Sequence, residues 1–461
     1  MSVRQSWQIT RRWPTRIVIG VVCAMSPLVS LVAEELPLVA AARGGDMAQV
    51  WAFLAAGADV NAAEPDGATA LHWVSYHDEI ETLDRLLAGG ADANAVNDLG
   101  VSALWTAAEN GSTDAVSRLL EAGADPNLAL LAGETPVMVA ARSGAAKVVE
   151  LLLRAGANPE ARGTRGQTAL MWAVAQQHPS VVQVLIDSGV DLHARSEVWS
   201  QVMAVPPHGQ PEYNREIPHG GNTALMFAAR GGDVASARLL LAAGANADDT
   251  NAWGVSATTL AAHAGFGELV TLLLEAGADA GASEAGFAAL HAAVMRRDPL
   301  MVRTLLEHGA DPNATLNTWT PTRRSSRDLH FAPPLVGATP FWLAARFNAP
   351  DVMLLLADHG ADPRVIHHAD YKDPGYAQPR QEATTAVMAA IGMGGGRLRS
   401  WKPPNRLELE SLRLDTVRVA VELGADVDAT DLFGLTVIDQ ARSVGFDAVV
   451  AFLESHSAAS P

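Results

Sequence analysis

The chain has very few thiols and few aromatic side chains. Its 461 residues include one cysteine, Cys23, and four tyrosines. A single thiol forms no internal disulfide, so packing rather than cross-linking must stabilise the fold. Cys23 lies in an N-terminal segment that we expect to be removed, which excludes thiol catalysis in the mature chain. No Gly-x-Ser-x-Gly elbow and no His-Glu-x-x-His pair occurs. We therefore predict no enzyme activity and no catalytic residue.

Apolar runs long enough to span a membrane are missing after the N-terminal segment. Residues 1–33 combine four arginines and no acid with an apolar run that starts at Ile17, and this pattern is typical of a signal peptide. We place its cleavage near Ala33; an uncleaved anchor formed by residues 17–33 is the alternative. Cleavage would change the formal charge from −18 to −22, since four arginines leave. We expect an exported protein, periplasmic or extracellular.

The strong acidity and the lack of binding motifs limit the ligands. A chain of net charge −18 repels phosphates, so no nucleic-acid partner is expected. The run Gly392-Met393-Gly394-Gly395-Gly396 lacks the Lys-Ser/Thr ending of a phosphate loop. His367, His368 and Asp370 form one metal-like cluster, but adjacent side chains of an extended segment point apart. We predict no cofactor, no metal and no membrane contact beyond the N-terminal segment.

An internal period dominates the rest of the sequence. Short turns of the Gly-Ala-Asp type recur, at first every 33 residues, with glycines at Gly57, Gly90, Gly123, Gly156, Gly189, Gly244, Gly277, Gly309, Gly360 and Gly424. A threonine or serine recurs in phase, at Thr69, Ser102, Thr135, Thr168, Thr223, Ser256, Thr339 and Thr436. A glycine stands two residues before each of these hydroxyl residues. Several markers in phase over many periods predict a repeat architecture.

Each marker has a physical role in a unit of two short helices. The threonine or serine can cap the first helix by accepting a free backbone N–H, and a proline just after it suits the first helical position. The glycine of the Gly-Ala-Asp turn ends the second helix, where a left-handed backbone favours a residue without Cβ. Asp and Asn after that glycine stabilise the turn into the next unit.

These units resemble the ankyrin repeat. Thr69-Ala70-Leu71-His72 is similar to the family's Thr-Pro-Leu-His box, and the run from Gly57 to Ala62 is similar to its closing turn. The resemblance implies an all-α solenoid of about eleven helix-turn-helix units with finger loops, four of them interrupted by insertions. It also implies a scaffold role for the box residues Thr69, His72, Thr135, Thr168, Thr223, His291 and Thr339.

The period divides the chain into regular and interrupted parts. After the signal, residues 34–194 hold repeats 1–5, 220–314 repeats 6–8, 337–364 repeat 9 and 384–456 repeats 10 and 11. Insertions occupy 195–219, 315–336, 365–383 and 392–411, and 457–461 form a tail. The first three insertions lengthen finger loops, whereas the fourth separates the two helices of repeat 10.

The insertions concentrate aromatic and basic residues, the types enriched at the energetic centres of interfaces. We predict partner contacts at Trp199, Tyr213, Trp319, Arg323, Arg324, Arg327, Tyr371, Tyr376, Arg397, Arg399, Trp401 and Lys402. The alternative is that the insertions fold over the solenoid and cover it. The sequence favours a monomeric, non-catalytic scaffold that binds a protein on its concave face and long fingers. An enzyme or small-ligand binder with its site in the insertions is the alternative function.

Overall fold

The computed structural model describes residues 37–204, 214–320, 330–371, 379–396 and 405–457. α-Helices dominate these ranges and pack in consecutive pairs. The first helices of the pairs are α1 (Pro37–Gly44), α3 (Ala70–His77), α5 (Ala103–Asn110), α7 (Pro136–Ser143), α9 (Ala169–Ala175), α11 (Ala224–Gly231), α13 (Ala257–Ala264), α15 (Ala289–Arg296), α17 (Pro340–Arg346), α19 (Ala386–Ala390) and α21 (Val437–Val444). The second helices are α2 (Met47–Ala55), α4 (Ile80–Ala88), α6 (Thr113–Glu121), α8 (Ala146–Arg154), α10 (Pro179–Asp187), α12 (Val234–Ala242), α14 (Gly267–Glu275), α16 (Pro299–Glu307), α18 (Pro350–Asp358), α20 (Arg406–Glu422) and α22 (Asp447–Ser457).

The helix pairs stack so that first helices pack on first helices and second helices on second helices. Each first helix from α1 to α17 contacts the first helix of the next pair, and the second helices from α2 to α20 do the same. The buried side chains form one continuous apolar cluster that runs from Leu38 to Leu453. This is the arrangement of a solenoid, in which each unit buries its apolar face against its neighbours.

Hydroxyl caps fix the start of most first helices, but not of all. The Ser102 hydroxyl accepts the N–H of Trp105 at 3.1 Å, and Thr168 and Thr339 make the same bond at 3.4 Å. Thr135 and Thr223 differ from the expectation, because their buried hydroxyls accept no capping bond. At Thr135 the proline that follows already has the fixed backbone angle of a first helical residue.

Two box histidines link neighbouring units. His72 accepts the N–H of Thr69 at 3.1 Å through Nδ1, and its Nε2 donates to the carbonyl oxygen of Val101 at 2.9 Å. His291 repeats the arrangement, with Nδ1 accepting the N–H of Ala288 and Nε2 3.0 Å from the carbonyl oxygen of Ala314. Each imidazole therefore ties the start of its helix to a later finger.

An asparagine ladder joins the closing turns. Asn127 donates its amide to the carbonyl oxygen of Gly156 at 3.0 Å and accepts the N–H of Asn158 at 2.8 Å. Asn313 makes the same pair of bonds with Gly360 and Asp362, although 47 residues separate Asn313 from Gly360. The ladder therefore links the repeats on either side of the second insertion, and the insertion does not disturb their stacking.

Two antiparallel hairpins add β-structure that an all-α description leaves out. Strands β1 (Trp199–Ala204) and β2 (Asn214–His219) pair in the first insertion, and β3 (His367–Tyr371) pairs with β4 (Arg380–Thr384) in the third. Helix α20 starts inside the stretch assigned to the fourth insertion, because Asn405 caps it by accepting the N–H of Glu408 at 3.0 Å. None of the helices in the described ranges has the length and apolar character needed to cross a membrane.

Candidate functional site

The first two insertions contact each other across the finger between them. Ile217 of β2 and Trp319 of the second insertion form a small buried cluster, flanked by Trp253 and Val336. Trp319 is only 5% exposed. Its ring, expected at a partner surface, therefore joins two insertions that lie about a hundred residues apart in the sequence.

The second and third insertions are joined by His367. This fully buried histidine donates Nε2–H to the carbonyl oxygen of Pro334 at 3.0 Å, and its ring packs on Trp342 with 4.1 Å between centroids. Burial lowers the pKa of His367, which favours the neutral ring. Burial alternates along β3, so His368 is exposed on the opposite side. The two adjacent histidines thus share no common site.

The third and fourth insertions meet at Glu382. Its Oε2 accepts the N–H of Gly395 at 2.8 Å, and its Oε1 accepts the Tyr371 hydroxyl proton. Nearby, Arg346 of α17 donates Nε–H to the carbonyl oxygen of Gly394 at 2.8 Å and Nη2–H to that of Gly396 at 2.6 Å. The glycine-rich run thus binds a carboxylate of the chain itself.

Burial of Arg346 at this junction disfavours its charged form. It lowers the pKa of Arg346 to about 10, and the nearby guanidinium of Arg413 adds to the shift. The guanidinium remains protonated at neutral pH, so the two glycine carbonyls solvate a buried cation. Such charge-assisted bonds are stronger than neutral ones.

Together these three junctions connect the four insertions in chain order. We call the described residues 195–204, 214–219, 315–320, 330–336, 365–371, 379–383 and 392–396 the insertion layer. Within it Trp319 and Tyr371 are buried. Trp199 lies half-buried between the His219 ring, 4.5 Å away, and the Arg165 Cζ atom, 4.0 Å from its centroid.

The remaining residues expected to contact a partner lie outside the described ranges. They are Tyr213, Arg323, Arg324, Arg327, Tyr376, Arg397, Arg399, Trp401 and Lys402. An interface built by these basic and aromatic side chains therefore stays a prediction.

A second surface, whose exposed residues are not among the partner contacts expected from the sequence, is formed by the first helices. We call it the first-helix face and define it by the fourth and seventh residues after each capping position. Trp73 and Tyr76 hold these places in α3, and their rings meet edge to face at 6.3 Å. In α5 and α7 the seventh residues, Glu109 and Arg142, form an ion pair at 3.3 Å.

Arg142 is the centre of this face in the first half of the chain. Besides Glu109 it binds Glu134 of its own finger at 3.4 Å. Its Cζ atom lies 5.1 Å from the ring centroid of Trp172, the fourth residue in α9. One arginine therefore connects three successive repeats and presents a charged group beside an aromatic ring.

Exposure divides the first-helix face into an open and a covered part. The seventh residues from Arg43 in α1 to His263 in α13 are exposed or half-buried, and Tyr76 is 54% exposed. The next two, Met295 and Arg346, are 5% and 7% exposed. The open and covered parts are built from the same kind of first helix, so their difference in exposure comes from the chain segments that pack over the helices.

The sequence did contain a signal for this face. An Ala-Ala pair precedes the seventh position in α5, α7, α11 and α13, whereas that position itself changes between glutamate, arginine and histidine and is a tyrosine in α3. Variation at one place within otherwise regular units indicates a residue that the scaffold does not require. The face offers aromatic rings, paired charges and a rigid backbone, which suit recognition of another macromolecule.

Within the described residues, no three His, Cys, Asp or Glu side chains are grouped so that they could hold a metal ion.

Comparison with known protein families identifies the family of this chain. A family model described as ankyrin repeats (3 copies) matches residues 38–130, 126–196 and 225–316, more than half of the chain. The comparison with curated proteins gives no match. Because this family model agrees with the stacked helix pairs, the chain belongs to the ankyrin-repeat proteins.

Proposed function

We propose that this ankyrin-repeat protein is a non-catalytic scaffold of about eleven units, four carrying insertions, that binds a protein partner outside the cytoplasm. Ankyrin repeats are generally protein–protein interaction modules. The partner would lie along the open part of the first-helix face, on the concave side, and reach the insertions. The observation that supports this most is the row Tyr76, Glu109 and Arg142 on three stacked helices, in which the first two side chains are exposed and Arg142 is half-buried.

The physical argument is one of preorganisation. The row stands on helices whose remaining residues are largely buried in the stack, so binding would order few side chains. Tyr76 is already fixed by Trp73, and Arg142 by two glutamates and Trp172. Aromatic and arginine side chains that are rigid before binding are the typical centres of interfaces.

A photo-crosslinking residue at Tyr76 or Glu109 tests the proposal in the native cell. We expect both positions to capture the same protein. Leu300 is the matched control, because it is 76% exposed but lies on the second helix α16. Equal capture from Leu300, or none from Tyr76 and Glu109, would contradict the proposal.

The arginines of the second insertion are proposed as a further part of the interface. Replacing Arg323, Arg324 and Arg327 together by alanine should weaken capture through Tyr76, since opposite charges speed association and fix the orientation of a partner. Unchanged capture would remove these residues from the interface and leave the first-helix face in it.

Export is proposed on the basis of residues 1–33. Mass spectrometry of the protein isolated from its cells should give a chain that starts near Glu34, in the fraction outside the cytoplasm. A chain that retains Ile17 to Ala33 in the membrane fraction would favour the anchor instead.

A further inference from the structure

The covered part of the first-helix face is closed by the chain's own backbone. Over α17 lies the turn Gly394–Gly396, which Arg346 holds by two hydrogen bonds. Arg142 has the same place in α7, yet its guanidinium is about one-third exposed and binds carboxylates on the surface. The turn thus occupies the position that a partner would take over the open part.

Only glycine fits into this position. A Cβ atom on Gly395 would lie 2.9 Å from Cη2 of Trp342 and 3.0 Å from Nε of Arg346. Gly394, Gly395 and Gly396 also have φ angles of +71°, +68° and +62°, which side-chain-bearing residues rarely adopt. The turn therefore covers the helix with main chain alone.

We infer that the turn Gly394–Gly396 is a displaceable, autoinhibitory cover, which lifts locally and adds Trp342 and Arg346 to the partner-binding face. This inference rests on the proposed function for the role of the uncovered surface. The lifting itself is a property of the chain and needs no partner.

Several features make the closed turn easy to lift. Three glycines lose more backbone freedom on ordering than any other residues would. They bring no side chains of their own, so the apolar surface covered by the turn is that of the residues beneath it, such as Trp342 and Leu335. Two side chains hold the turn by hydrogen bonds: Arg346 binds two carbonyl oxygens and Glu382 accepts one N–H. Water can replace all three partners when the turn opens.

The repeats beneath do not depend on the turn. Asn348, which follows α17, donates its amide to the carbonyl oxygen of Ala390 at 2.7 Å and so joins repeats 9 and 10 directly. Helices α17 and α19 also pack on each other. The turn can therefore open while the stack stays folded.

A thiol at Thr384 reports on the opening. Thr384 is 3% exposed, and its hydroxyl lies 2.8 Å from the Cβ position of Gly394, directly under the turn. That hydroxyl has no hydrogen-bond partner, so Thr384→Cys removes no bond. With Cys23→Ser in the full chain, the new thiol is the only one, and its reaction with a maleimide measures access.

The variant Gly395→Ala should speed this labelling about tenfold, a change that corresponds to ~1.4 kcal/mol. Gly360→Ala is the matched control, since Gly360 has a φ of +91° but no atom within 4 Å of a Cβ. Both changes place a side chain at a positive φ angle, and only the first pushes against Trp342 and Arg346. Labelling of the control should match that of the parent chain.

Urea separates local opening from unfolding of the whole chain. Local opening exposes little surface, so labelling below the unfolding transition should hardly change with urea. If labelling in every variant rises with urea as steeply as global unfolding does, the turn is a fixed part of the fold and the inference is overturned.

The affinity of the partner for the variants tests the autoinhibitory role. The protein captured through Tyr76 should bind Gly395→Ala several-fold more tightly than Gly360→Ala, because less energy is needed to open the turn. Equal affinities would overturn the inference and leave the proposed function in place. No capture in any variant would instead contradict the proposed function, and the labelling would still decide whether the turn opens.

Discussion

Arg346 donates its Nε–H to the carbonyl oxygen of Gly394 at 2.8 Å, although the two residues are 48 positions apart in the chain. This bond joins the first helix of one repeat to the insertion that interrupts the next. The arginine is buried at this junction, and burial lowers its pKa to about 10. The bond lies in the covered part of the first-helix face, which begins at Met295 in α15.

The buried histidine of α15 predicts a pH-dependent stability. Burial lowers the pKa of His291 to about 4 from its ordinary 6.5, and its Nδ1 already faces the N–H of Ala288. Below pH 6.5 the unfolded chain binds a proton that the folded chain refuses, so unfolding becomes easier as the pH falls towards 4. The loss from this one residue should reach at most about 3 kcal/mol.

The variant His291→Met isolates this effect, because Met226 holds the same box position in α11. We expect a lower urea midpoint at pH 7, since Ala288 N–H and Ala314 oxygen lose their partner, and a flatter pH dependence between pH 7 and 4. His308→Gln, at an exposed position, should keep the parent's slope. A parent-like slope in His291→Met would show that another group causes the acid sensitivity.

Ala288 should be a place where the protein can gain stability. It is the N-cap of α15 but has no hydroxyl, whereas Ser102 accepts the Trp105 N–H at the same position of α5. Ala288→Ser adds this acceptor to the same extended backbone and should raise the free energy of unfolding by about 1 kcal/mol. Ser102→Ala should lower it by a similar amount. Urea unfolding checks both, and a loss in Ala288→Ser would show that the buried site has no space for an oxygen.

The asparagine ladder predicts a difference between two chemically equal substitutions. Asn127→Ala removes both bonds to the next repeat, to Gly156 and Asn158, and should cost about 1–3 kcal/mol. Asn158→Ala removes one local bond, to the N–H of Glu160, and should cost about 1 kcal/mol or less. Thermal unfolding of the two variants measures these losses of stability. Equal losses in both would mean that the ladder adds nothing to the coupling of repeats.

Trp319 should stabilise the insertion layer rather than the repeats. Trp319→Ala empties the site next to Ile217, a loss of about 3–5 kcal/mol for a buried tryptophan. The contact joins two insertions, so we expect faster amide exchange in β1 and β2 with little change in exchange of α11 to α16. Trp199→Ala, at a half-buried ring, is the milder control. Faster exchange throughout the stack would place Trp319 in the main core instead.

Much of the fold was readable because each repeat marker has a local cause. The glycine turns need positive φ angles, and Gly57 and Gly90 have φ angles of +79° and +89°. Thr135 and Thr223 do not cap their helices, although their backbone angles match those of Thr168 and Thr339, which do. Residue type and local backbone together therefore do not determine where the hydroxyl bonds.

The sequence by itself determined the repeat period, the positions of the helix pairs and the family, because caps, turns and apolar faces act over a few residues. Only the tertiary structure decided how the insertions meet, that Trp319 and Tyr371 are buried, and that a glycine turn covers α17. Those contacts join residues that lie 11 (Tyr371 and Glu382) to 102 positions (Ile217 and Trp319) apart along the chain, and no spacing rule fixes them. The open face of Tyr76, Glu109 and Arg142 lies between the two cases: its positions repeat in the sequence, but its exposure depends on what folds over it.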